Sequence, residues 1–190
     1  MNFDTQNLKA WNNLVSQFFD TYYYNELRWA LLAARSTSVV GKNIVKRNIN
    51  IEKRYHPLFT IIEAGLDYSL VLSICHFFDL PKKRIDGELK SIPFFLNKLG
   101  DEAKKIEFKL LKKNHRNTID KFQNARNDYF AHRKTDKVII PSFESTKKIL
   151  KDIGEFINSM GRNIQATFLW NNINDYEVKK SLENLFIDLV

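Results

Sequence analysis

Cysteine is almost missing from this 190-residue chain, with Cys75 alone present, so a disulfide scaffold and a Cys-based zinc site are both excluded. Glycine and proline are scarce at 6 and 4 residues, which excludes collagen-like and low-complexity classes. Long apolar runs are absent too. The longest mainly apolar stretch without a charge, Tyr68–Phe78, has 11 residues, and a membrane-spanning helix needs about 20. The start of the chain, MNFDTQNLKAWNN, has no positively charged segment leading into an apolar one, so no secretory signal and no membrane association are expected and the expected location is the cytoplasm. HExxH, CxxC, GxGxxG and GxxxxGK[ST] patterns are missing as well, so no metal site, cofactor or nucleotide hydrolysis is expected.

What is present is an ordinary globular composition, 44% apolar and 27% charged, in a length that suits one domain spanning residues 1–190. The net charge is +8, and its distribution says more than its size. Residues 82–137 carry 16 Lys or Arg against 8 Asp or Glu, so the entire surplus lies in under a third of the chain. Such an excess concentrates polyanions and speeds their encounter, and nucleic acid is the commonest such partner. A lysine-rich surface kept for solubility is the plain alternative.

Apolar residues recur at three and four positions nearly everywhere, which predicts an all-α fold, an up-and-down bundle of four or more helices. The first helix is expected over Thr5–Arg35, with a break over Ser36–Lys42 and a basic helical stretch over Lys42–Tyr55. Pro57 is expected to open the next helix, since proline is tolerated at a first helical position. That helix, Pro57–Phe78, is apolar around most of its circumference and is the expected centre of the core, stopped by Asp79-Leu80-Pro81. A charged loop, Lys82–Ser91, and a short helix, Ile92–Leu99, follow before Gly100. Asp101 is the expected cap of a helix whose stripe runs through Ile106, Leu110, Leu111, Ile119, Phe122, Ala125 and Tyr129, with a break expected in Asn114–Thr118. Thr135–Ser142 reads as a loop, Glu144–Asn171 as a helix, and Asp175–Leu189 as a last amphipathic helix. His76 is expected to be a satisfied core histidine, Cys75 a small buried hydrophobe and His56 a helix-start residue. His115 either caps a helix or touches RNA, and Trp11, Trp29, Trp170 and Tyr22–Tyr24 suit packing or an interface.

One constellation carries chemistry. Near the end of the basic segment stands Arg126-Asn127-Asp128-Tyr129-Phe130-Ala131-His132. Tyr129 continues the apolar row of Phe122 and Ala125, and at 100° per residue Arg126 and His132 lie about 60° to either side of it. Both flank a buried stripe, and an arginine there needs a partner or a ligand, because burying an unpaired charge is costly. Along one helix their Cα atoms are about 9 Å apart in rise, too far to meet at one small site. A two-fold contact between two such stripes brings two Arg and two His together, a physical reason to expect a homodimer with its site on the axis.

These residues resemble the HEPN-domain proteins. Ribonuclease members of that α-helical family carry an Arg, then an Asn, Asp or His, and a His after about four to six residues in total, and Arg126, Asn127 and His132 fit that motif. Phe77-Phe78-Asp79, the charged loop and apolar restart after it, and Ala131-His132-Arg133 look like the abortive-infection branch, the U2 type. The resemblance covers roughly Leu8–Phe168. Many HEPN toxins paired with a nucleotidyltransferase antitoxin carry a modified Tyr two residues after the His; here Lys134 stands there, so control by modification of that Tyr is not expected.

The resemblance implies an endoribonuclease, a toxin or phage-defence effector, that leaves 2′,3′-cyclic phosphate and 5′-OH ends without a metal. His132 moves protons, since its pKa lies near operating pH. Arg126 stabilises charge on the phosphorane. Asn127 orients a phosphate or fixes His132, and Asp128, four residues before His132, holds its tautomer. Lys112, Lys113, Arg116, Arg133, Lys134 and Lys137 are candidates for phosphate contacts or, equally, solvated surface lysines and arginines. The expected partners are RNA, a second copy and a separate antitoxin protein. The alternative is a HEPN-like dimerisation or RNA-binding module that does not cut.

Overall fold

The structure, a computed structural model, describes residues 5–35, 42–80, 91–130, 139–162 and 166–168. Within them lie six helices and no strand: α1 (Thr5–Arg35), α2 (Lys42–Phe78), α3 (Ile92–Leu99), α4 (Glu102–Asn114), α5 (Arg116–Phe130) and α6 (Phe143–Arg162). The all-α expectation holds. The loop at residues 81–90 and the expected helix at 175–189 lie outside the described residues, as do residues 36–41.

Local chemistry sets several boundaries. The Ser91 side chain accepts a hydrogen bond from the Phe94 N–H at 3.3 Å, Pro93 sits in the first turn of α3, and Gly100 closes it at φ 65°. That left-handed backbone favours glycine, which carries no Cβ to clash. Asp101 caps α4 by accepting from the Lys104 N–H at 3.0 Å. His115 separates α4 from α5: its N–H bonds to Leu111 C=O at 3.1 Å and its own C=O accepts from the Ile119 N–H at 2.9 Å. The expected break in Asn114–Thr118 is therefore one residue wide.

The core joins α1, the C-terminal part of α2, and α3, α5 and α6. Phe18, Leu70, Ile74, Phe77, Ile92, Phe122, Ile149 and Ile153 are fully buried. Two close approaches fix α6. A Cβ on Gly154 would sit 2.8 Å from the Phe18 ring, so α1 and α6 pack here only because that atom is missing. The Trp11 indole N–H donates to Ile157 C=O at 3.1 Å. Polar links reinforce the α1–α2 seam: the Gln17 amide donates to Ser73 C=O at 3.0 Å, and Arg28 pairs with Asp67.

Several expectations need correcting. Pro57 does not open a helix; it lies inside α2, fifteen residues from its start at Lys42, where it removes one backbone hydrogen bond. His56 precedes it inside the same helix rather than starting one. The helix is not buried all round either. Leu58, Ile61, Ile62 and Tyr68 are 47%, 70%, 38% and 45% exposed, because the described partners of α2 cover mainly its C-terminal end. By length and composition His56–Phe78 could cross a membrane, but six of its last nine residues are buried in the protein core. His76 is exposed while Cys75 is buried, since adjacent helical residues differ by about 100°.

The expected helix over Glu144–Asn171 ends at Arg162. The Asn158 side chain explains the return of the chain: its carbonyl accepts from the Phe168 N–H and its amide donates to Phe168 C=O, both at 2.9 Å. Phe168 then packs against Trp11, Phe18 and Phe19, with ring centroids 5.4–6.1 Å apart. On α4, Ile106 and Leu110 are 59% and 54% exposed, and Phe108 and Leu111 make the core contacts instead. Of the aromatic residues expected to pack, Trp11 and Tyr22 are buried and Trp29 stacks on Phe143 at 4.8 Å; Trp170 lies outside the described residues.

Candidate functional site

The Phe122 and Ala125 side chains of α5 are buried at 0% and 2% exposure against the C-terminal part of α2, which fixes how the next residue leaves the helix. Arg126, about 100° on from Ala125, emerges at the edge of that row and meets Asp79, just past the end of α2. A single nitrogen, Nη1, donates to both carboxylate oxygens, to Oδ1 at 2.9 Å and Oδ2 at 3.1 Å. Both side chains are about one-third exposed, at 30% and 32%, so the pair lies at the surface of the core and not inside it.

The pairing is forced from both sides. Asp79 follows the last turn of α2, where the helix dipole presents its negative end and repels a carboxylate. The guanidinium answers that repulsion. In return, the hydrogen bond to Asp79 raises the Arg126 pKa above its ordinary value, against the smaller opposing effect of burial. Cys75 lies one turn before Asp79 on the same helix face. Burial pushes its thiol up to about 11, with the Arg126 charge opposing and the Asp79 charge assisting, so it is neutral at physiological pH. A neutral, buried thiol is unreactive.

Asn127 is exposed and Asp128 half-buried on the turn that carries Arg126. His132, Arg133, Lys134 and Lys137 lie outside the described residues, as does the side chain of Tyr129. Lys112, Lys113 and Arg116 are exposed at the α4–α5 corner. They begin α5 ten residues before Arg126 or precede it, so about 15 Å of helix separates that basic corner from the Arg126–Asp79 pair. Arg116 lies 3.7 Å from Asp120 with its side chain 83% exposed, an interaction worth little in water.

His115 takes the structural one of its two expected roles. It is 6% exposed, and its Nε2 lies 2.6 Å from Asp152 Oδ2, which ties the α4–α5 corner to α6. Among the described residues no group of three or more His, Cys, Asp or Glu is placed to hold a metal ion.

Sequence reasoning identified Arg126 as an arginine in need of a partner but did not pair it with Asp79. The signal was available in the carboxylate itself: an acidic residue at the C-terminal end of an apolar helix opposes the dipole and calls for a cation. Cys75 and Asp79, four residues apart, place that need on one face of α2.

Residues 8–181 match the model of the HEPN family described as AbiU2, and the chain belongs to that family. No curated protein and no solved structure matches the chain.

Proposed function

We propose, with membership of the HEPN AbiU2 family as the premise, that the protein is an endoribonuclease acting in abortive infection, a phage-defence effector or toxin of the cytoplasm. Its site forms where two copies of the Arg126–His132 segment meet, and RNA passes between them. The ribose 2′-OH attacks the adjacent phosphorus, giving a 2′,3′-cyclic phosphate and a 5′-OH. One His132 accepts the 2′-OH proton, and the His132 of the second copy gives a proton to the leaving oxygen. Arg126 binds the charge that develops on the phosphorane. Asn127 orients the phosphate, and Asp128 holds the His132 tautomer. Lys112, Lys113, Arg116, Arg133, Lys134 and Lys137 bind backbone phosphates. A separate antitoxin protein restrains the enzyme by a route other than modification of a Tyr at position 134, where this chain has Lys134.

The observation that carries this reading is the Arg126–Asp79 pair: an arginine at the edge of the core, its guanidinium anchored through one nitrogen yet about one-third exposed. That exposure leaves the guanidinium accessible to an anionic ligand. The test is cleavage of a single-stranded RNA in the presence of EDTA by wild type, His132→Ala and Arg126→Ala. Loss of cleavage by about a hundredfold or more in Arg126→Ala, and abolition in His132→Ala with the melting transition preserved, is the expected result. Equal cutting by all three proteins leaves the non-catalytic module as the correct reading. A monomeric wild type that still cuts refutes the two-copy site.

A further inference from the structure

We infer that Asp79 is the positioning residue of this site: by holding Nη1 of Arg126, it presents the free Nε–Nη2 edge of the guanidinium to the substrate phosphate. The inference rests on the ribonuclease reading and deepens it.

Three observations converge. First, the pairing is asymmetric. Both bonds to the carboxylate come from Nη1, at 2.9 and 3.1 Å, and among the described residues neither Nε nor Nη2 has a bonding partner. Because the guanidinium is planar and rigid, fixing one corner fixes the plane. The edge left over carries two nearly parallel N–H donors, the fork that matches two oxygens of one phosphate. Second, the two partners come from separate elements, the end of α2 and the C-terminal third of α5, whose mutual packing is set by buried Phe77, Phe122 and Ala125. The carboxylate therefore holds its position without the arginine. Third, the Cys75 thiol beside the pair is neutral and does not compete with the carboxylate for the guanidinium.

The carboxylate also has an electrostatic effect that separates positioning from mere attraction of RNA. Asp79 cancels part of the positive charge that Arg126 presents to a polyanion. Replacing it with Asn removes the anchor and the negative charge together. RNA binding then strengthens or stays level, while cleavage slows because the fork is no longer aimed. A residue that serves only to tie α5 to α2 shows the opposite pattern, with stability falling and RNA affinity falling with it.

The experiment uses the full chain and a single-stranded RNA oligonucleotide in EDTA, with kcat and KM measured for wild type, Asp79→Asn, Asp79→Glu, Arg126→Ala and the double variant Asp79→Asn/Arg126→Ala. The expected result is a kcat about ten- to a hundredfold lower in Asp79→Asn, the range seen when an orienting partner is lost. KM is unchanged or lower. Asp79→Glu recovers part of the loss, and Asp79→Asn adds nothing in the Arg126→Ala background. If Asp79→Asn has no melting transition, Asp79→Glu decides the matter: a lowered kcat at unchanged KM upholds the assignment, and wild-type kcat overturns it. A wild-type kcat in Asp79→Asn, or a further loss in the Arg126→Ala background, overturns the positioning role while leaving the ribonuclease intact. A wild type that cuts no RNA overturns both.

Discussion

Between Leu70 and Phe78, helix α2 buries Leu70, Val71, Ile74, Cys75, Phe77 and Phe78 at 3% exposure or less. Between Leu58 and Tyr68 the same helix leaves Leu58, Ile61, Ile62 and Tyr68 between 38% and 70% exposed. Both stretches are mainly apolar, although the outer one carries Glu63 and Asp67 and the inner one no Asp, Glu, Lys or Arg, so apolar content alone does not separate them. What differs is the company. The C-terminal stretch lies where α1, α3 and α5 converge, and it ends in the carboxylate that holds Arg126. Apolar residues make a stretch capable of burial; the placement of neighbouring helices decides whether it is buried.

Truncation is the sharpest way to break that comparison. Phe77→Ala is expected to cost about 3–5 kcal/mol, because a fully buried ring leaves a cavity. Ile61→Ala, at a position 70% exposed, is expected to change stability by less than about 0.5 kcal/mol. Urea denaturation measures both, and similar losses at the two positions would show that the outer face of α2 is covered in solution.

A smaller effect comes from Pro57. It is exposed and interior to α2, so it contributes little packing and removes a backbone hydrogen bond. Pro57→Ala is expected to stabilise the chain by about 2 kcal/mol, somewhat below the full cost of an interior proline. A drop in the urea midpoint on this substitution would mean that the ring is held against something at the outer end.

A smaller effect again than that of Pro57 belongs to the buried end and is read by pH. The Cys75 thiol is pushed from an ordinary 9.0 to about 11. Above pH ~9 the unfolded chain releases this proton while the folded chain keeps it, so stability falls as pH rises toward 11. Below that window the group has no effect. At about pH 10 the contribution is on the order of 1 kcal/mol, and the stability of Cys75→Val measured across this range is expected to fall less steeply than that of wild type.

Much of the fold could be read locally, and the reason is visible residue by residue. The α1 boundaries follow from an uninterrupted apolar row, and Asp101 announces itself as a cap by chemistry that acts over three residues. The family motif likewise lay in consecutive residues, and the match over residues 8–181 bears out that resemblance. Longer-range choices were hidden. Nothing around His76 or Cys75 says which faces inward, because a helix apolar on every side has no preferred face. Phe168 continues the spacing of α6, yet Asn158 bonds its backbone outside the helix. Arg126 advertised its need of a partner, but the partner stands 47 residues away and only the packing of α2 on α5 brings it near. For the other half of the constellation, His132 lies outside the described residues.

The imidazole–carboxylate contact between His115 and Asp152 has a consequence for the cations beside it. Lys112, Lys113 and Arg116 stand on a corner whose backbone is clamped to α6, so their attachment points keep fixed spacing before any polyanion arrives. Any partner meeting that corner would have only side-chain rotamers left to restrain, since the main chain has already given up its freedom during folding.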